Sequence, residues 1–412
     1  MPFGPVRRRL LAAALPCLLL STPAPLHADG GTRWVAAWMT SVEAPDLRAT
    51  GFTGAGFDGR TLRMIVTPAI GGRRLRVRVC NTYGHFALAL GDVRIALRSS
   101  GPDIRPESAR VVTFGGERSI RLSSGQSVES DPVPFGIEPG QDLAVDLYLP
   151  RTSGPPSWHR EANRTSYISP RGDYAGAPHW AEPATTTSWF FLCGLDVEAP
   201  DRTVAVVALG DSLTDGAASR LDSAGDWPSV LARRLAQAGR TDIAIVNAGI
   251  SGNRLLADGT GESALSRFGR DVLAVPGVRT VILLEGGNDI GRLPPLQQPG
   301  MGAAAIIDGY RQLIRRAHAA GLRIIGGTLP PTGGSGYGTP ARQAERERVN
   351  GWLRSTAGRP GGFDAVIDFA AMLRDPDHPE RLRPAYDSGD HLHPNNAGYR
   401  AMAEAVDVDL LR

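Results

Sequence analysis

The sequence predicts an α/β protein in two parts: an antiparallel, jelly-roll-like β-sandwich over residues 31–200, then a mainly parallel sheet covered on both faces by helices over residues 201–412. Three observations lead there. The first half is written in short runs of period 2 broken by Gly and Pro. The second half alternates apolar strand-like runs with amphipathic stretches of period 3.6. Polar, Gly-rich blocks fall at the ends of those apolar runs, where open parallel sheets carry their sites.

In RRLRVRV, Leu75, Val77 and Val79 fall on one face and Arg74, Arg76 and Arg78 on the other, which is a strand with one side toward a core. Asp92 to Arg98 and Asp142 to Leu149 repeat the pattern, the latter stopped by Pro150. Gly71-Gly72, Gly115-Gly116 and Pro139-Gly140 punctuate these runs as turns. From Thr203 the pattern changes. TVAVVALG is a strand buried on both faces, DWPSVLARRLAQAG a helix stopped by Gly239, and IAIVNAG a second buried strand. VRTVILLEGGND, a helix from about Ile306 to Ala320, LRIIGGTLP, a helix from Pro340 to about Ser355, FDAVIDF and a last helix near Asn395 complete the series.

The first 28 residues read as a signal peptide: Arg7, Arg8 and Arg9 precede an apolar run from Leu10 to Leu20, too short to span a bilayer, with a cleavage point after Ala28. Sec and twin-arginine export both remain open. Cys17 lies inside that run after Ala-Leu-Pro, which argues against a lipid anchor. The expected location is therefore secreted, extracellular or periplasmic. Cys80 and Cys193 remain in the mature chain; a disulfide between them, worth about 4 to 5 kcal/mol by chain entropy, and two separate buried thiols are both open. Charged residues make up 21% and the formal net charge is +3, so neither disorder nor a nucleic-acid surface is indicated. No segment after the leader is apolar enough for a membrane helix.

Four blocks carry the chemistry. They are Gly210-Asp211-Ser212 after the first parallel strand, Asn247 to Asn253 after the second, Gly286-Gly287-Asn288-Asp289 after the third, and Asp387 to Asn395 before the last helix. Their order and strand context resemble the SGNH (GDSL) hydrolase family over roughly residues 203–412. The resemblance implies a flavodoxin-like C-terminal domain, Ser212 as nucleophile, Gly252 and Asn288 as oxyanion donors with the Ser212 N–H, and Asp390 and His393 as acid and base. It implies no metal or organic cofactor. The stretch TLRMIVTPAIGGRRLRVRVCNTYG resembles the β-rich extension of a xylan-esterase-like secreted subgroup.

The residue chemistry leads the same way. A serine hydroxyl needs a base during attack, an imidazole supplies one near neutral pH, and a carboxylate three residues away holds its tautomer. The oxyanion that forms needs preorganised N–H donors. Each residue has a plainer alternative: Ser212 as a helix cap, Asn288 as a turn residue, and Asp387, Asp390, His391 and His393 as a metal cluster. Asp211 is expected to fix the turn around Ser212, Asp289 to cap, and Trp227-Pro228 to start a helix. Leu293–Pro299 and Thr332–Thr339 are candidate rim loops. Trp34, Trp38, Trp158 and Trp180 are candidate sugar platforms, with Arg74, Arg76 and Arg78 an anionic-ligand face; core and solvated roles are the simpler expectation.

The expected function is a secreted serine esterase removing short acyl groups, acetyl above all, from small-molecule or polysaccharide esters of carbohydrate or related type through an acyl-enzyme. A lipase or lysophospholipase on longer chains is the alternative with the same site. A glycan-binding or scaffold protein with a vestigial hydrolase domain is the alternative of another class.

Overall fold

The Arg/Leu/Val alternation forms β3 of an antiparallel sheet in the computed structural model, which describes Met1, Gly4 and residues 31–48, 50–292 and 301–412. But for Met1 and Gly4, the expected leader lies outside the described residues, as does the rim loop expected at 293–299. The main strands of the first half are β1 (Thr32–Met39), β2 (Arg60–Val66), β3 (Gly72–Cys80), β4 (Asp92–Ser100), β5 (Val133–Ile137), β6 (Leu143–Leu149), β7 (Ser166–Arg171) and β8 (Leu192–Pro200). One antiparallel sheet runs β1-β8-β3-β5 and another carries β7-β2-β6-β4 at its centre. Leu75, Val77 and Val79 are buried, as the alternation requires, and the arginines between them are ion-paired.

The second half places β9 (Val204–Gly210), β10 (Ile243–Gly249), β11 (Val278–Leu284), β12 (Arg323–Gly327) and β13 (Ala365–Ile367) in one parallel sheet, ordered β10-β9-β11-β12-β13. The chain reverses direction across β9, so the crevice beyond the carboxyl ends of β9, β10 and β11 is the topological switch point. The helices are α1 (Ser212–Asp215), α2 (Trp227–Gln237), α3 (Met301–Ala319), α4 (Pro340–Thr356) and α5 (Asn396–Ala405). Local chemistry sets their starts. The Asp226 carboxylate accepts from Ser229 N at the head of α2, and Asn395 accepts from Ala397 N and Gly398 N at the head of α5. The strand expected over FDAVIDF is cut to three residues because Asp368 turns to cap the next helical turn, accepting from Ala371 N. Among the described residues, no helix is long and apolar enough to cross a membrane.

The change of pattern near residue 200 is not a gap in packing. Residues 32–412 form one compact unit with a main hydrophobic cluster running through both halves. The reason lies in β1. Val35, Ala36 and Ala37 are all buried, because the strand pairs with β8 at one edge and meets the α/β half at the other. Ala36 N donates to Pro276 O at 2.9 Å. Gly277, at φ +76°, comes so close that a Cβ there would sit 2.9 Å from a Val35 methyl.

Candidate active site

The GDS block turns sharply at the end of β9. Asp211 caps α1, its Oδ1 accepting from Leu213 N at 3.0 Å, and this presents Ser212 at the first helical position over the switch point. A Cβ at Gly210 would lie 2.3 Å from Leu284 O, so only glycine lets the turn pass β11 this closely. The loop before α5 reaches the same place. His393 Nε2 lies 2.9 Å from Ser212 Oγ, and its Nδ1 lies 2.6 Å from Asp390 Oδ2. Nδ1 faces a carboxylate and so carries the proton, leaving Nε2 to accept from the serine hydroxyl. Burial pushes the Asp390 carboxyl up. The His393 N–H, the imidazole and the Leu392 N–H more than offset this by hydrogen bonding, and the pKa falls to about 2. Asp390 is thus ionised throughout the neutral range.

The other two blocks converge here. Gly252 has φ +79°, a left-handed turn at the end of the β10 block. Neither its N–H nor that of Ser212 has an acceptor among the described residues. Asn288 is buried on the helical turn Gly287–Gly291. Its Nδ2 donates to Asn253 O at 2.8 Å, while its second hydrogen meets Asp211 Oδ2 only at 3.4 Å. Asp289, expected in a structural role such as capping, clamps the neighbouring loop, accepting from Leu255 N and Leu256 N. His391 pairs with Asp387 at 2.6 Å, so the four Asp and His side chains of the last block form two separate pairs.

Beside Ser212 lies a cavity of about 30 Å³ walled by Leu213, Ile290, Leu329, Pro330, Tyr337 and Leu392. Thr332 and Tyr337 come from the Gly-rich 332–339 loop expected at the rim.

Residues 208–401 match the model of the GDSL-like Lipase/Acylhydrolase family. This part of the chain is a GDSL-like lipase/acylhydrolase domain. The protein is an ester hydrolase of this type. The GDSL-like domain is similar to a putative lipolytic protein of the G-D-S-L family from Desulfitobacterium hafniense DCB-2, with 26% identity over 49% of this chain and 97% of the other, at a TM-score of 0.38. A putative acylhydrolase from Bacteroides fragilis NCTC 9343 is similar at 21% identity over 50% of this chain and 88% of its own, at a TM-score of 0.38. A catalytic mutant of an acetylxylan esterase from Geobacillus stearothermophilus is similar at 22% identity over 49% and 91%, at a TM-score of 0.37. No curated protein matches the chain.

Beneath the GDSL-like site sits Arg267, fully buried, which no motif or periodicity singles out. It donates to Gly210 O at 2.9 Å, Ala248 O at 2.6 Å, Asn253 Oδ1 at 3.0 Å and Ser41 Oγ at 3.0 Å. One guanidinium thus ties the ends of β9 and β10 to the Asn253 loop. Its neighbour Glu285 is fully buried, its Oε2 without a hydrogen-bond partner but 3.8 Å from Arg267 Nη2, and burial followed by the nearby Asp211 charge pushes its carboxyl well up, favouring the neutral acid. Tyr337 also escaped the sequence reading. Its only signal was an aromatic residue in a Gly-rich loop.

The first half offers little aromatic platform. Trp38, Trp158 and Trp180 are buried, and Trp34 is covered by the Arg76 guanidinium 4.1 Å above its ring. Arg74 pairs with Glu198, Arg76 with Glu129 and Arg78 with Asp196, so these cations are not an open anion-binding face. Cys80 and Cys193 are free thiols on the paired strands β3 and β8, and the Cys193 thiol donates to Arg78 O at 3.5 Å.

Proposed function

We propose that the protein is a secreted serine esterase that removes short acyl groups, acetyl above all, from carbohydrate or related esters. The reading rests on the unbroken relay from Ser212 Oγ through His393 to Asp390, at 2.9 and 2.6 Å. Ser212 Oγ attacks the ester carbonyl carbon as its proton passes to His393 Nε2, and the carbonyl oxygen becomes an oxyanion. The N–H groups of Ser212 and Gly252 and the Asn288 Nδ2 hydrogen that meets Asp211 Oδ2 only at 3.4 Å are the donors for that charge. His393 then gives its proton to the departing alcohol oxygen, leaving an acyl-serine. Water, deprotonated by the same imidazole, attacks the acyl carbon; the carboxylic acid leaves and Ser212 recovers its proton.

The small acyl preference is supported by the small size of the apolar cavity beside Ser212, about 30 Å³. The leader-like run from Arg7 to Leu20 supports export. The sheet order supports a flavodoxin-like C-terminal half, and the antiparallel pairings a β-sandwich that packs against it. With Trp38, Trp158 and Trp180 buried and Trp34 covered by Arg76, that first half serves structure and positioning rather than sugar binding.

The test is turnover of p-nitrophenyl acetate, butyrate and octanoate by the purified protein and by Ser212→Ala. The wild type should favour acetate, and the variant should fold normally and be inactive. Turnover retained in Ser212→Ala would remove the mechanism. A preference for octanoate would replace the short-acyl reading with a lipase one.

A further inference from the structure

The buried side chain that links the first half of the chain to the site is His159. It lies on the short strand Trp158–His159, paired with Trp189–Phe190, and its ring stacks on Trp189 at 5.6 Å. Both of its nitrogens face oxygen acceptors. Nδ1 is 2.9 Å from Ser41 O, and Nε2 is 2.9 Å from Asp215 Oδ1. A carbonyl and a carboxylate can only accept, so the ring holds both protons and carries the positive charge. Burial alone would oppose that charge. The Asp215 carboxylate, with help from Glu43 and Ser41 O, overrides it and raises the imidazolium pKa to about 9.

Asp215 is the last residue of α1, the turn that begins with Ser212. Its second oxygen, Oδ2, accepts from Ser251 N at 2.9 Å and from Ser251 Oγ at 2.6 Å. Ser251 immediately precedes Gly252. The carboxylate therefore bridges the turn that carries the serine and the loop that carries an oxyanion N–H. It is buried, and its other oxygen is held by a residue from the first half of the chain. Close packing leaves it little room: a Cβ at Gly249 would lie 2.3 Å from Asp215 N.

We infer that His159 is a positioning residue for the reaction, fixing the Asp215 carboxylate so that Ser251 sets the Gly252 N–H in the oxyanion site. The first half of the chain then completes the catalytic site rather than decorating it. The inference rests on the Ser212 esterase reading above. Loss of the Nε2–H leaves a buried carboxylate oxygen bare. Asp215 must then turn or take up a proton, and the Ser251 loop follows. A shift of about 1 Å in such a donor costs on the order of 100-fold in rate.

Two substitutions divide the ring's two bonds. In His159→Asn the amide takes the place of Nδ1 and keeps Ser41 but cannot reach Asp215. In His159→Gln it takes the place of Nε2 and keeps Asp215. With p-nitrophenyl acetate, His159→Asn should lower kcat by about 10- to 100-fold with KM within about threefold, and His159→Gln should recover most of that kcat. A purely structural histidine predicts the same loss in both, following the folded fraction. Equal kcat in the two variants, or His159→Asn within threefold of wild type, overturns the inference. Should His159→Asn not fold, Asp215→Asn and Ser251→Ala, alone and combined, read the same path. Losses in kcat that combine to less than their product support a shared carboxylate, and a strict product overturns it. A wild-type protein inactive on every ester would instead overturn the esterase reading, so the two failures are distinct.

Discussion

Tyr337 Oη donates to Asn288 Oδ1 at 3.1 Å, so the side chain that walls the cavity beside Ser212 also orients the proposed oxyanion donor. The bond fixes which end of the Asn288 amide faces the crevice: Oδ1 is held by the phenol and Nδ2 is left to donate. Tyr337→Phe keeps the wall and removes the bond. A neutral hydrogen bond is worth about 0.5–1.5 kcal/mol net, so kcat should fall about 2- to 10-fold with the acyl preference unchanged. Tyr337→Ala removes both and should move the optimum from acetate toward butyrate or longer. An acyl-chain series on the two variants separates these effects.

Asn288→Ala deletes the donor itself. Because the hydrogen bond forms with the oxyanion and not with the neutral ester, kcat should fall about 100- to 1,000-fold while KM changes little. A rise in KM at unchanged kcat would mean that Asn288 binds substrate rather than the transition state.

Arg267 should matter most for stability. It is buried against Asp271 and neutralised in part by it, and its other hydrogens satisfy two strand-end carbonyls. Arg267→Met removes the cation and its hydrogen bonds to Ala248 O, Asn253 Oδ1 and Ser41 Oγ, while Asp271 keeps Arg270 and Gly210 O keeps Ile250 N. Losing a hydrogen bond to a charged group costs about 1.5–3 kcal/mol. The urea midpoint should fall by a matching amount, and a midpoint unchanged from wild type would show that water replaces the guanidinium without loss.

What could be read from the sequence was whatever repeats at short range. Leu75, Val77 and Val79 announced their strand by period 2, Trp227-Pro228 announced the start of α2, and Ser212, Gly252, Asn288, Asp390 and His393 stood in blocks with fixed neighbours. What could not be read depends on partners far away in the chain. Arg267 meets Ser41 across 226 residues, and nothing near either residue foretells the other. Tyr337 finds Asn288 across 49, and His159 finds Asp215 across 56. The division near residue 200 was visible as a change of pattern. The burial of β1 against the second half was not, because an apolar run such as Val35-Ala36-Ala37 looks the same whether one partner or two cover it.

The His159–Asp215 pair also sets a pH window for stability. The folded imidazolium has a pKa of about 9 against 6.5 for the free side chain, so its contribution is complete below pH 6.5 and disappears as pH rises through 9. The Asp215 carboxyl moves the other way. Burial pushes it up, but His159 and Ser251 more than offset this and hold it below 3.8, so its contribution is present above that value and is lost as pH falls further. Glu43, facing the same imidazole, is raised by burial. Wild-type protein should therefore lose urea resistance between pH 6.5 and 9. His159→Gln, whose neutral amide has no proton to lose in that range, should not. Urea midpoints measured for both proteins at half-unit steps from pH 6 to pH 10 give the comparison, and parallel curves would mean that His159 is not the group that titrates.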